Sequence, residues 1–318
     1  MPDPRSLPPL DPASALTHWV LDPVVLAVVV AAAAGYLLAV RRVRRGGGTW
    51  SAARTGLFLA AGLGSVVLVT SSFLGAYAGR LMWVYATQVS LLLTLVPVLV
   101  MAGRPLTLAR AAGGGTRVLD GVLASRPWRA LTSPLVGPLL VPLAITAVFF
   151  TPLMADSLRH AWVLALTQLG LLAVGAVLAV PLVGEAGAET SALIAVAVLV
   201  GILELILDAI PGLVVRLRTH LLAPAYWTSF PRPWGAYALG DQQHAGAVLW
   251  FVADVIDLPF LALLFLRWQR ADAREAAAAD RALDDADDGT GMTVPWWVAQ
   301  RTAQQPADGS SDGSSDRP

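Results

Sequence analysis

Seven long apolar runs, separated by segments rich in arginine, glycine and proline, set the pattern of the chain. They fall at Pro23–Val40, Thr55–Ala78, Leu81–Ala102, Pro134–Met154, Ala161–Val183, Ser191–Val215 and Ala245–Leu266. Each approaches the ~20 apolar residues that carry an α-helix across the hydrocarbon core of a bilayer. The pattern predicts an all-α membrane protein, a bundle of seven transmembrane helices. Pro97 lies inside the third run, where it removes a backbone donor and crowds the preceding turn, so that helix is expected to bend. Tyr85, Thr87, Gln88, Ser90 and Thr94 give the same helix a polar side that other helices, rather than lipid, should meet.

The segments between the runs carry further signals. After the third run, Val118, Leu119, Val122 and Leu123 share one helical face while Arg117 and Asp120 point away. This suits either a short helix on the inner leaflet or a surface helix packed on the bundle. Between the sixth and seventh runs lies a long loop with Tyr226, Trp227, Trp234 and Tyr237, rings that serve as anchors at a membrane–water boundary or, alternatively, as a binding surface. From Asp272 the chain turns to Ala, Asp, Gly, Ser and Gln. ADAREAAAADRAL is expected to continue the last helix, and the rest, with Asp284, Asp285, Asp287 and Asp288 in an acidic run, to stay disordered. The cluster PWWV within it is a candidate for touching the membrane surface. The expected division is a polar segment 1–22, a membrane domain 23–271 and a cytoplasmic tail 272–318.

Composition agrees with this pattern: 56% of the 318 residues are hydrophobic and only 14% charged, too apolar a balance for an ordinary soluble domain. Net charge is zero, so no nucleic-acid partner is expected; the bilayer is the first partner. The distribution of charge matters more. Arginines gather after the first run (Arg41, Arg42, Arg44, Arg45, Arg54), after the third (Arg104, Arg110, Arg117, Arg126, Arg129) and after the seventh (Arg267, Arg270, Arg274, Arg281). Fewer fall on the alternate side, where Arg5, Arg80, Arg159, Arg216, Arg218 and Arg232 lie. The positive-inside rule then puts the N-terminus outside and the C-terminus in the cytoplasm. The proline-rich start lacks the pattern of a cleavable signal, so entry is expected to depend on the first spanning helix. Cysteine is absent, which excludes disulfides, thiolate metal sites and dithiol redox chemistry. No Ser-His-Asp set, phosphate loop or zinc signature is present, and catalysis by the chain is not expected.

The motifs then become specific. Tyr36 precedes an RRVRR run; SSFLGAYA spans Ser71–Ala78, LVPVLVMAGRPLTLA Leu95–Ala109, SRPWRALTSP Ser125–Pro134, FFTPL Phe149–Leu153 and VPLVG Val180–Gly184. GDQQHAGAVLW ends at Trp250 and leads into FLRWQRADAREA. In this order, over roughly Trp19–Arg281, the chain resembles the CtaG-type cytochrome c oxidase assembly factors. The resemblance implies a multi-pass protein of the bacterial plasma membrane that assembles a haem-copper oxidase, contacts its subunits and supplies copper. It also implies where copper ligands should lie: a pair of histidines four apart on helix 3 and a His-x-His pair on helix 5. Here those positions are Tyr85 and Val89, then Gln168 and Gly170. A third histidine, expected just after the helix 6 proline, is also replaced, since Pro211 is followed by Gly212, Leu213 and Val214. Amides and phenols are poor copper ligands compared with imidazole, thioether or thiolate. No metal ligand is therefore assigned, and copper stays only as a candidate.

Other polar groups need an account. His18, His160, His220 and His244 all map to the same side of the predicted membrane, as surface residues or, with Met82 or Met154, as a displaced copper site. Glu204 and Asp208 are four apart on one helix and Asp254 and Asp257 three apart on another, so each pair shares a face. Carboxylates within a span usually face the bundle interior or water, which makes them functional candidates. The alternative is that they are protonated, held by amides such as Gln88 and Gln168, or neutralised by Arg216. With Gln88, the stretch Asp241, Gln242, Gln243 and Trp250 completes the candidate set. Three functions remain open: an oxidase assembly factor, a copper-free accessory or scaffold protein of the respiratory chain, and a transporter built on the carboxylates.

Overall fold

The computed structural model of the protein describes residues 7–113, 116–133, 136–183, 191–229 and 232–286, and every regular element among them is helical. The acidic run beyond Ala286 and the PWWV cluster lie outside the described residues. Two compact units divide the chain, Met1–Trp268 and Gln269–Pro318.

The short helix α1 (Pro12–Thr17) opens with a capping box, Asp11 accepting from Ser14 N–H while Ser14 Oγ receives Asp11 N–H. α2 (Pro23–Arg45) starts on Asp22, whose carboxylate takes the Val24 and Val25 amides, and it runs through the RRVRR stretch, five residues past the apolar run. Arginines in a last turn suit the negative end of the helix dipole.

α3 (Ala52–Tyr77) contains a wide π-helical section, Leu57–Leu63, and a break at Ser72. Around that section Tyr36 stacks on Phe58 with ring centroids 4.0 Å apart. The Tyr36 hydroxyl donates to the Gly103 carbonyl at 2.8 Å and receives Trp50 Nε1–H at 3.1 Å. One buried phenol thus ties α2, α3 and the Gly-Arg-Pro turn together.

α4 (Met82–Ala111) carries the expected proline, and its first break falls at Thr94, three residues ahead of Pro97. Proline removes the donor that the Leu93 carbonyl would receive and clashes with that turn. The exposed carbonyl meets α9 (Ala161–Val183) at Gly175, where any side-chain carbon would collide with Leu93 O and the Pro97 ring. A second break follows at Gly103–Arg104, with Arg104 left-handed at φ 52° ahead of Pro105.

α5 (Thr116–Leu123) and α6 (Arg126–Leu131) follow, and Arg110 bonds Asp120 at 2.9 Å across an exposed surface. The fourth apolar run is not one straight helix. It forms α7 (Gly137–Phe149) and α8 (Leu153–Arg159), bent by 63° at the Thr151–Pro152 corner. α9 matches the expected Ala161–Val183. α10 (Ser191–Leu217) goes one turn-fraction past the expected end, and a short α11 (Pro224–Trp227) follows. α12 (Ala238–Ala286) begins seven residues before the apolar run, so the DQQ stretch is helix rather than loop.

Among the described residues six helices are long and apolar enough to cross a membrane, or seven when the bent α7–α8 pair counts as one span. The main apolar core lies among α3, α4, α7, α8, α9 and α12, with Tyr77, Val84, Leu92, Val96, Phe149 and Leu249 at its centre.

Candidate functional site

The polar side of α4 points into this core. Tyr85 and Gln88 are three apart and so share a face, and each is only 1% exposed. Tyr85 Oη and Ser157 Oγ of α8 lie 3.0 Å apart, and the Tyr85 ring meets Phe149 edge-on at 5.8 Å. Gln168 of α9 donates through Nε2 to Gln88 Oε1 at 3.3 Å, and Gln88 Nε2 donates to the Val69 carbonyl at 3.0 Å. This amide relay crosses α9, α4 and α3. It uses a carbonyl near the Ser72 break, where the α3 ladder is interrupted. Two buried atoms, Gln168 Oε1 and Ser90 Oγ, have no partner among the described residues.

Three of the four positions where the resemblance implies copper ligands, Tyr85, Val89 and Gln168, are buried. Gly170 does not join them. It is exposed, with open space where a side chain would begin, because residues two apart on a helix point away from each other. The donors at the cluster are a phenol, two amides and hydroxyls, and the phenol and one hydroxyl already bond each other. That set does not fit copper, which binds imidazole and sulfur ligands far better. Met82 and Met154 are buried in the same apolar cluster at 1% exposure each. The histidines are dispersed: His18 edges onto Tyr77, His160 lies beside Trp162, and His220 and His244 are exposed. Among the described residues no group of three His, Cys, Asp or Glu is placed to hold a metal ion.

At the start of α4 stands a second constellation. Asp241, 2% exposed, accepts Met82 N–H at 2.9 Å and Trp83 N–H at 3.4 Å and pairs with Arg232 at 2.9 Å. A carboxylate on free helix N-terminal amides is favoured by both hydrogen bonding and the dipole. Gln242 is fully buried: its Oε1 accepts Leu222 N–H at 2.6 Å and its Nε2 reaches the His220 and Val215 carbonyls at 3.2 and 3.4 Å. These two side chains fasten the loop after α10 and the start of α4 to α12. Gln243 is half-buried, its carbonyl taking a 3.5 Å bond from Arg216, and Trp250 is 45% exposed. Tyr226 Oη donates to the Gly79 carbonyl at 3.0 Å, and burial pushes its hydroxyl up to about 12, against the opposing pull of Arg80 and Arg159. A cavity of about 460 Å³ opens here between Arg80, Trp227, Arg232, Tyr237 and Asp241.

The carboxylate pairs lie within electrostatic reach of each other. α10 and α12 run antiparallel, with Gly212 against the Gly246 carbonyl and Gly201 against Leu261. That register sets Asp208 level with Asp254 and Glu204 level with Asp257. Asp208 is 1% exposed and the other three are half-buried. Gln88 and Gln168, which the sequence offered as hydrogen-bonding partners of these acids, bond each other, and Arg216, offered as their neutralising cation, donates to the Gln243 carbonyl.

Sequence reasoning had no sign of Ser157 as partner of Tyr85, or of Arg232 as partner of Asp241. The small-residue contacts, Gly175 on Leu93 and Gly212 on Gly246, were legible in principle as glycines inside apolar runs.

Relatives add the last evidence. An uncharacterized protein of Mycobacterium leprae is 27% identical over 280 residues, covering 84% of this chain and 42% of its own length. One of Mycobacterium bovis is 25% identical over 284 residues, 86% of this chain and 42% of its own. The chain thus spans less than half the length of these curated relatives. No solved structure matches it. Residues 34–271 match the family of cytochrome c oxidase caa3 assembly factors, Caa3_CtaG, and the chain belongs to that family.

Proposed function

We propose that the protein is a plasma-membrane assembly factor for a bacterial haem-copper oxidase, and that it acts through contacts with oxidase subunits rather than by relaying copper through its Tyr85–Gln168 cluster. The observation that carries this reading is the fate of the family ligand positions. Tyr85 is bonded to Ser157 and Gln168 to Gln88, and both pairs join helices, so the side chains serve packing where relatives would present histidines. In this reading the membrane domain is 23–271 with seven spans, the bent α7–α8 pair being one. The segment 1–22 lies outside and the tail 272–318 in the cytoplasm, as the arginine bias favours.

Copper delivery, the role the resemblance implies, is the second reading. Met82 and Met154 speak for it, since thioethers suit copper(I) and both lie in one buried cluster.

Deletion of the gene, followed by measurement of oxidase activity and copper content in isolated membranes, tests the proposal. Loss of assembled oxidase, restored equally by the wild type and by a Met82→Leu/Met154→Leu variant, is expected. Normal oxidase in the deletion strain contradicts an assembly role, and failure of the double variant to restore copper loading favours delivery.

A further inference from the structure

The four carboxylates between α10 and α12 share one level of the helix pair, and the features around them point to a ligand. Asp208 is 1% exposed, and its Oδ1 meets no donor among the described residues; Asp254 Oδ1 is buried and unpartnered as well. Asp208 lies within electrostatic reach of Glu204, Asp254 and Asp257. α7, which packs on α10, contributes no ionisable residue. The cluster is thus an acidic floor, at Asp208, with half-buried acids around it and no cation supplied by the helices that form it.

The two helices are also poorly covered. Only 17% of the α10 span and 12% of the α12 span are buried. Leu203 and Ile206 on α10 and Val255 and Leu258 on α12, neighbours of the acids, are all half or more exposed. Acids within a span do not face lipid unaided; they face protein or water and find opposite charge. No lysine or arginine lies within the apolar runs of this chain, so a second copy has no mid-span cation to offer.

We propose that Glu204, Asp208, Asp254 and Asp257 form an intramembrane docking site for a transmembrane helix of a different protein that carries arginine or lysine at mid-span. A guanidinium fork or ammonium engages two acids at once, and the apolar residues beside them pack against the rest of the incoming helix. The site lies on helices that contribute nothing to the Tyr85–Gln168 cluster.

The test uses the full chain in phosphatidylcholine vesicles. Because the protein has no cysteine, Ser310→Cys gives a single labelling position. The probe is a Leu/Ala transmembrane peptide of about 20 residues with one central arginine, compared by energy transfer with the same peptide carrying central leucine. The arginine peptide should bind about tenfold more tightly, and the Glu204→Gln/Asp208→Asn/Asp254→Asn/Asp257→Asn variant should lose that preference. The milder Glu204→Gln/Asp257→Asn pair, checked for unchanged helicity and elution, should lose most of it should the fourfold variant not fold. Equal binding of both peptides would mean that the acids hold only protons, and overturns the proposal. So does a preference that survives the amide substitutions, or association between two labelled copies that those substitutions abolish.

Discussion

Asp241→Ala should weaken the fold more than any other single exposed-loop or helix-end change. Asp241 holds three donors at once: the Arg232 guanidinium and the Met82 and Trp83 amides. Both charged side chains are nearly sequestered, at 10% exposure for Arg232 and 3% for Asp241. Removing one partner of a buried pair leaves the other charge uncompensated, at ~3–5 kcal/mol. Loss of an N-terminal cap alone costs about 1 kcal/mol. One carboxylate serves both roles, so the effects overlap rather than add, and Arg232 keeps its bonds to the Arg80 and Ala236 carbonyls. A loss of about 4 kcal/mol is expected. Asp241→Asn, which keeps an acceptor for Met82 N–H but not the charge, should lose about half as much. The double change Asp241→Leu/Arg232→Met should be milder than Asp241→Ala, since it leaves no buried charge. Denaturant unfolding in detergent, followed by helical circular dichroism, measures all three. An Asp241→Ala variant within about 1 kcal/mol of wild type, the range of an exposed pair, would refute the argument that this motif fastens the bundle.

Gly175→Val should lose at least ~2 kcal/mol in the same assay, because a side chain there drives α9 off the Leu93 carbonyl and the Pro97 ring. Gln88→Leu breaks the bonds to Gln168 and Val69 and should cost about 2 kcal/mol. Adding Gln168→Leu should cost less than its effect alone, which a double-mutant cycle checks. Tyr226 favours its neutral form when folded, with its hydroxyl raised from 10.0 to about 12. Its contribution is therefore complete below pH 10 and declines as pH climbs through 12. Alkaline unfolding curves should be less steep for Tyr226→Phe over that interval, although the variant starts lower for want of the Gly79 bond.

The helices were legible because bilayer solvent imposes a single crude requirement, a long apolar run, and Ala161–Val183 meets it end to end. Breaks were less legible. Pro97 announced a bend, but the break moved to Thr94, next to the Leu93 carbonyl that lost its donor, and Pro152 split a run that hydropathy alone reads as continuous. Polar residues at the start of α12 hid seven residues of helix, since Asp241 and Gln242 are satisfied by groups far away in sequence. Met82 is 159 residues from Asp241, and no local pattern encodes that pairing. The site divides in the same way. Helical spacing placed Tyr85 and Gln88 on one face and each carboxylate pair on another. It left unstated that the two carboxylate pairs come within electrostatic reach of each other, because that depends on the register between helices.

The positions at which the resemblance implies histidines carry the central claim, and copper(I) binding by the purified protein tests it most directly. Equilibrium dialysis under reducing conditions, with the metal counted per chain, should find no stoichiometric high-affinity copper, and Met82→Leu/Met154→Leu should leave that result unchanged. One tightly held copper per chain, lost in the methionine double variant, would contradict the account.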